Sequence, residues 1–205
     1  MNEEENASQR ILKMALKEFS TYGFSGARME RIAKAANINK AMIFYYFTSK
    51  KNLYQLVIQQ VFSNFYPKIT ELLSSNPTAE VFLEKAPEIY MRFFSSKPDF
   101  VRMIAIELVQ NPGNIASVMQ SLIKEKGDVT IPSRLRQLIR KWYKKGFISE
   151  GDPLQFMLNV VSLSLLSFIG KPLLEVIFQE YTSLKEFEKK RIKSIVNLLK
   201  RGMLK

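Results

Sequence analysis

The 205-residue sequence contains no cysteine and no histidine. Without cysteine the chain has no disulfide bond and no thiolate nucleophile, which fits a reducing cytosol or a hot environment. Without histidine it lacks the commonest general base and the commonest metal ligand, so ordinary catalytic triads and zinc sites are excluded. An enzyme would have to use carboxylates and lysines alone, and no pair of carboxylates at helical spacing stands out within an apolar stretch. We therefore predict no catalytic residue, no metal site and no cofactor.

Long apolar runs are also scarce. The longest, residues 156–169, is interrupted by Asn159 and several serines and is shorter than the roughly 20 residues that a membrane span needs. The N-terminus carries Glu3, Glu4 and Glu5, which is the opposite of a signal peptide. We therefore expect a soluble cytoplasmic protein with no membrane partner.

The net charge of +12 points to an anionic partner, although its distribution matters more than its total. Residues 1–53 carry nine basic and five acidic side chains, which leaves a net charge of +8 for the rest of the chain. Residues 134–145 hold six basic side chains and no acidic one, and residues 185–205 hold eight against two. Both segments have helical spacing, so we interpret them as solvated helix faces.

The chain has no strand-like alternation, no internal repeat and no low-complexity tract, which predicts an all-α fold. A fourth helix begins near Lys50 and is expected to kink or end at Pro67. The other helices are predicted near residues 7–22, 29–36, 40–47, 79–95, 98–110, 114–126, 133–145, 153–169, 172–181 and 184–201. The best apolar stripe is formed by Leu135, Leu138, Ile139 and Trp142.

Helix ends are marked by polar residues and glycine in the first 50 positions. Asn6 and Gln9 are spaced like a capping box for the first helix, and Gly23 is a left-handed stop. Asn37 follows the second helix, where a left-handed residue is usually needed. Asn39 is placed to cap the next helix. Two short helices that meet this abruptly predict a helix-turn-helix.

The helix at residues 40–47 has an unusual outward face. Ile43 and Phe47 share one side and are expected to be buried. The opposite side carries Ala41, Met42, Phe44 and Tyr45, flanked by Lys40 and Tyr46. Large apolar side chains toward solvent on so short a helix need a partner. That partner is either a DNA major groove or the remainder of the chain; in the first case Lys40 meets guanine or phosphate, Ala41 and Met42 meet thymine methyl groups, and the tyrosine hydroxyls reach phosphates.

These residues resemble a known family. Gly23-Phe24, then M-x-x-I-A (29–33), A-x-I-x-K (36–40) and I-F-Y-Y-F-x-S-K-x-x-L (43–53) are similar to the DNA-binding domain of the TetR family of bacterial and archaeal transcriptional regulators. The resemblance covers about residues 8–55. It implies a helix-turn-helix DNA-binding domain over residues 1–49 and a helical ligand-binding and dimerisation domain over 50–205. It also implies that Lys40, Ala41, Tyr45 and Tyr46 meet double-stranded DNA and that Lys50 lies on a phosphate.

Three positions depart from the pattern of the family. Arg28 replaces the Ser or Thr that commonly caps the first reading helix, so a cap worth about 1 kcal/mol is absent, and its guanidinium is instead available to a phosphate. Phe44 replaces a common Tyr and lacks its hydroxyl. Asn37 replaces a common Gly. The operator sequence therefore cannot be inferred from the family.

A helix that is apolar nearly all round, after the cap Asp152 and Pro153, must be covered on both sides. We expect residues 153–169 and 184–201 of two copies to form a four-helix interface. Such a homodimer would bind a palindromic operator.

Aromatic residues and methionine are frequent between positions 62 and 103, and most of them are expected in the core. The resemblance implies that some line a cavity for a small apolar effector that releases a repressor from DNA. Glu107 lies among apolar neighbours in MIAIELV, so it is either a buried acid with a partner or a group that orients the ligand. The predicted ligand residues are Phe62, Phe65, Tyr66, Tyr90, Phe93, Met103, Glu107 and Trp142. The alternatives are a constitutive DNA-binding dimer without effector and an all-α lipid-binding protein or enzyme.

Overall fold

The computed structural model describes residues 3–63, 65–110, 112–125, 131–180 and 182–205. These ranges form helices and no β-strand; Ile148 and Leu204 make an isolated antiparallel bridge. The predicted all-α fold is confirmed. The helices are α1 (Glu3–Gly26), α2 (Met29–Ala35), α3 (Lys40–Phe47), α4 (Lys50–Phe62), α5 (Phe65–Ser74), α6 (Ala79–Ser95), α7 (Pro98–Gln110), α8 (Pro112–Glu125), α9 (Ile131–Lys144), α10 (Pro153–Phe178) and α11 (Leu184–Met203).

The first helix differs from its prediction at both ends. It begins at Glu3, so Asn6 lies inside the helix and the predicted capping box is wrong. Gly23 has φ of 66°, which confirms the predicted left-handed position, but helical pairing resumes beyond it and α1 continues to Gly26. Any side chain at position 23 would strain this backbone, because L-residues rarely adopt a positive φ.

The predicted kink or end of the fourth helix at Pro67 is wrong. The helix ends at Phe62, and Pro67 lies in the first turn of the separate helix α5. Proline is tolerated there because the first N–H groups of a helix have no intrahelical acceptor. Proline at this position therefore accompanies the start of a helix rather than its end.

The predicted division between residues 169 and 172 is also wrong, because α10 runs unbroken for 26 residues. Pro172 lies within it, as Pro87 lies within α6; a proline removes one helical hydrogen bond and can kink a helix without ending it. By length and composition α10 is thus long and apolar enough to cross a membrane, contrary to the expectation from the shorter run. A single such helix is weak evidence of a span, and α10 packs against α6, α9 and α11.

The chain divides into two compact units, Met1–Ser63 with Pro98–Glu125, and Asn64–Lys97 with Lys126–Lys205. In the first unit α1 is central and packs against α2, α4 and α7, with Ile11, Ala15 and Phe19 fully buried. The predicted boundary between residues 49 and 50 separates the expected DNA-binding domain from the expected ligand-binding domain. It is not a boundary between compact units, and it stays a prediction.

In the second unit α6 is central and packs against α5, α10 and α11. The predicted stripe of α9 is confirmed, because its four members are all buried. The Trp142 ring lies 5.6 Å from that of Phe82 and 6.1 Å from that of Phe156, centroid to centroid. Lys200 of α11 forms ion pairs with Glu80 and Glu84 of α6 at 2.5 and 2.8 Å.

Candidate nucleic-acid interface

The α2–α3 pair has the predicted turn chemistry. Asn37 has φ of 54°, and the Asn39 side chain caps α3 by accepting a hydrogen bond from the Met42 N–H at 2.9 Å. Both predictions are confirmed. Arg28 makes no side-chain cap, as expected; its backbone N–H instead donates to Glu18 Oε1 of α1 at 2.9 Å. The start of α2 is therefore anchored to α1.

One face of α3 is buried and the other is open. Ile43 and Phe47 are buried as predicted, whereas Tyr45 is 73% exposed and Phe44 is 40% exposed. Lys40 and Ala41 are exposed, and Met42 and Tyr46 are half-buried. The rings of Tyr45 and Tyr46 meet edge to face at 5.4 Å. Among the described residues this face is therefore largely open, which argues against the alternative in which it packs on the remainder of the chain.

Lys40 has a partner that sequence reasoning missed. Its ammonium forms an ion pair with Glu30 of α2, and both side chains remain largely exposed. The hydrogen bond from Lys40 lowers the pKa of Glu30. The ammonium also lies 5.9 Å from the centroid of the Phe44 ring. Glu30 therefore places a negative charge at the edge of the open face, beside Lys40.

Lys50 is the first residue of α4, which Ser49 caps by accepting a hydrogen bond from the Asn52 N–H at 3.1 Å. The Lys50 ammonium lies 4.9 Å from the centroid of the Phe24 ring, and burial lowers its pKa. It also donates to the Ser25 carbonyl oxygen at 3.3 Å. Lys50 thus holds the end of α1, and its contact with a phosphate stays a prediction.

A second anchor, also missed, joins α2 to α1. Arg31 donates from Nε to Glu18 Oε1 at 2.7 Å and from its terminal nitrogen to the Gly26 carbonyl oxygen at 2.8 Å. Its guanidinium lies 4.1 Å from the centroid of the Tyr22 ring. Glu18 and Arg31 are 13 positions apart on different helices, so no helical spacing signals this contact.

Glu107 lies on α7 and is fully buried. Its Oε1 accepts a hydrogen bond from the Phe24 N–H at 2.5 Å, and its Oε2 accepts one from Asn114 Nδ2 at 3.5 Å. Of the two alternatives for this residue, a buried acid with a partner is what the structure contains. The nearby Tyr54 hydroxyl is buried without a hydrogen-bond partner among the described residues. Burial and the charge of Glu107 raise the pKa of Tyr54.

The other predicted ligand residues are divided between the two units, and each group is described within its own unit. In the first unit Phe62 packs on Phe100, with centroids 5.2 Å apart, and Met103 is fully buried. In the second unit the Phe65 ring lies 4.6 Å from Phe93, 5.1 Å from Tyr90 and 6.5 Å from Tyr66. Trp142 packs with Phe82 and Phe156.

Phe65 and Phe93 border a groove of about 540 Å³ between α5 and α6. Pro67 and Ile89 add to its apolar wall, and Lys68, Arg92 and Lys97 are also among its lining residues. None of its described lining residues is acidic. Arg92 is paired with Glu88, whereas neither lysine forms an ion pair within the described part of the chain.

Residues 11–57 match the family model for "Bacterial regulatory proteins, tetR family", and residues 80–199 match "Tetracyclin repressor-like, C-terminal domain". The chain is 31% identical over 140 residues to the HTH-type transcriptional repressor NicS of Pseudomonas putida. That alignment covers 68% of this chain and 65% of NicS, so the chain spans slightly less than two thirds of this relative's length.

Two solved structures share the fold. The hemolysin II transcriptional regulator HlyIIR is 21% identical, with a TM-score of 0.64, and the match covers 91% of this chain and 97% of HlyIIR. The fatty acid degradation regulator FadR from Bacillus halodurans is 16% identical, also with a TM-score of 0.64, and the match covers 92% and 97%. At these identities the likeness establishes the helical architecture and no shared ligand.

Proposed function

We propose that this chain, which belongs to the tetR family of bacterial regulatory proteins, is a cytoplasmic DNA-binding transcriptional repressor that a small effector releases from its operator. The observation that carries the proposal is the open face of α3. It combines exposed Tyr45 and Phe44 with Lys40 at the start of a helix that Asn39 caps. A helix of this kind fits a major groove, where aromatic and apolar side chains meet base edges and thymine methyl groups.

Each residue of the face has a distinct part in this proposal. Ala41 and Met42 lie in the first turn and contact thymine methyl groups, and Tyr45 and Phe44 cover the adjoining bases. Lys40, Arg28 and Lys50 contact phosphates or guanine acceptors, and Tyr46 donates to a phosphate. The cations position the protein, and Tyr45 is the main determinant of sequence preference.

Fluorescence anisotropy with a duplex selected by the protein tests these parts. Tyr45→Ala should weaken specific binding by about 5- to 150-fold, corresponding to roughly 1–3 kcal/mol for a good base contact, and nonspecific binding much less. Tyr45→Phe, which keeps the ring, is the matched control for the hydroxyl. If Tyr45→Ala binds the selected duplex as tightly as the wild type, the recognition role of α3 is wrong.

We further propose that the repressor is a homodimer formed by α10 and α11. Exposed leucine and isoleucine side chains recur along one face of α10 at helical spacing and leave a long apolar stripe. Its members are Leu154, Leu158, Leu166, Ile169, Leu173 and Ile177. A two-fold interface lets two copies of α3 read half-sites about 34–36 Å apart.

The effector proposal rests on the groove beside Phe65 and Phe93. Its volume of about 540 Å³ falls in the range of small-molecule sites. The apolar wall favours a largely apolar molecule, and Lys68 and Lys97 favour an acidic group at one end. We therefore propose that Phe65 and Phe93, which border the groove, contact the effector within this unit.

A matched pair of ligands tests the effector proposal. Decanoate should raise Tm and lower affinity for the selected duplex, whereas decanol, which has the same chain without the acid, should do so less. Lys68→Ala combined with Lys97→Ala should remove the difference between the two ligands. If neither ligand changes Tm or DNA affinity, the constitutive DNA-binding dimer is the better description; the close packing of Met103 and Glu107 also favours that second candidate.

A further inference from the structure

The last turn of α1, residues 24–26 after the kink at Gly23, is held by side chains from three different helices. Glu107 of α7 accepts from the Phe24 N–H, Lys50 of α4 donates to the Ser25 carbonyl oxygen, and Arg31 of α2 donates to the Gly26 carbonyl oxygen. The first two are separated in sequence by 83 and 25 positions. Three consecutive residues are therefore fixed by three side chains, and the turn leads directly into α2 and α3.

Glu107 differs from Lys50 and Arg31 in its burial and in the part of the chain that supplies it. It is fully buried, whereas Arg31 is partly exposed, and it is the anchor supplied by a helix beyond residue 63. No lysine or arginine lies within 4 Å of its carboxyl group in the described part of the chain. A buried acid is costly unless it is hydrogen-bonded, and an apolar residue in this stretch would pack without that cost. Its hydrogen bonds to Phe24 and Asn114 supply the compensation.

The packing around Gly23 tightens the same junction. The kink at φ of 66° brings the backbone so close to α7 that a Cβ at position 23 would lie 3.0 Å from Ile106 Cγ2 and 3.2 Å from Glu107 Oε1. Phe24 then places its ring 5.0 Å from that of Tyr54 and 6.3 Å from that of Phe19. Any displacement of α7 along its axis must therefore move the turn or break the bond from Phe24.

We infer that Glu107 is a positioning residue for DNA binding, which ties α7 to the turn before α2 and so fixes the orientation of α2 and α3. The inference rests on the proposed function and adds a way in which DNA binding is regulated. Whatever displaces α7 alters DNA affinity through the hydrogen bond between the Phe24 N–H and Glu107. Without Glu107 the Phe24 N–H would be a buried donor with no acceptor, which costs roughly 1–3 kcal/mol. This cost raises the equilibrium constant for opening of the turn by a factor of about 5 to 150. A turn that opens reduces the binding-competent population and lowers the apparent affinity by up to that factor.

Residue-resolved amide hydrogen exchange tests the bond without DNA. In the wild type the Phe24 amide should exchange slowly, and in Glu107→Leu it should exchange about 5 to 150 times faster. Glu107→Gln keeps an acceptor oxygen and should restore most of the protection. Rapid exchange of Phe24 in the wild type would overturn the inference even if Glu107→Leu does not fold.

DNA affinity separates a positioning role from a structural one. Glu107→Leu should lose at least about fivefold in affinity for the selected duplex at a temperature where it is fully folded, with recovery in Glu107→Gln. Met103→Ala is the matched control, because Met103 is equally buried one turn earlier on α7 but does not bond the turn. Met103→Ala should lower stability and leave affinity unchanged.

The outcomes distinguish this inference from the proposed function. Wild-type protein that selects no DNA contradicts both together. Wild-type binding with unchanged affinity in folded Glu107→Leu, or an equal loss in Met103→Ala, contradicts only the role of Glu107.

Discussion

Glu30→Gln should strengthen DNA binding, because Glu30 competes with DNA for Lys40. The carboxylate of Glu30 is paired with the Lys40 ammonium at the edge of the open face of α3. A phosphate that approaches Lys40 must displace this acid and also meets its negative charge. Glutamine keeps the size and the helical propensity of the side chain and removes both obstacles.

The expected gain follows from the exposure of the pair. Exposed ion pairs contribute little, so releasing Lys40 should raise affinity about twofold to fivefold at low salt. The gain should shrink as salt rises, because exposed charges are screened beyond roughly 8 Å at physiological ionic strength. The assay is fluorescence anisotropy of wild type and Glu30→Gln on one selected duplex at four salt concentrations.

Asp99→Asn is the matched control for the change in net charge. Asp99 also forms an exposed ion pair, with Arg102, but it lies on α7 rather than beside α3. Its substitution should change affinity less than Glu30→Gln. An equal gain in the two variants would mean that only net charge matters. A loss in Glu30→Gln would refute the reasoning, because Glu30 would then orient Lys40 toward DNA instead of withholding it.

Three further predictions concern single side chains. Lys50→Ala should weaken specific and nonspecific DNA binding alike and lower the urea midpoint, because it removes a phosphate contact and the anchor of the Ser25 carbonyl; unchanged nonspecific binding would contradict the phosphate role. Leu166→Arg should place a charge in the proposed interface and give monomers by light scattering at micromolar concentration, whereas an intact dimer would exclude α10 from the interface. Tyr54→Phe should leave the free energy of unfolding within about 0.5 kcal/mol of the wild type, because its hydroxyl lies near Glu107 without the geometry of a hydrogen bond to any described residue; a large loss in urea denaturation would show that Glu107 accepts a hydrogen bond from it.

The helix-turn-helix could be predicted because its signals are local. Asn37 and Asn39 act within a few positions of the helix ends that they define, and the burial of Ile43 and Phe47 follows from helical spacing alone. The same local rules failed at Pro172. Its effect on α10 depends on whether the helix can lose one hydrogen bond and continue, which the sequence around it does not indicate.

The charged contacts of the site could not be predicted, because they join distant positions. Glu30 and Lys40 belong to consecutive helices whose crossing brings them together, and Glu107 meets a backbone amide 83 positions away. The sequence marked Glu107 as unusual but offered no means to choose its partner. For the same reason the sequence does not indicate that Trp142 of α9 packs against Phe82 of α6.

Selection from a pool of random DNA duplexes tests the central claim most directly. The wild type and Tyr45→Ala are each incubated with the pool, the bound duplexes are amplified over several rounds, and the products are sequenced. We predict that the wild type enriches a palindrome whose half-sites lie about one helical turn apart, and that Tyr45→Ala loses preference at particular base pairs within each half-site. Folded wild-type protein that enriches no sequence, or the same motif enriched by both proteins, would contradict the account.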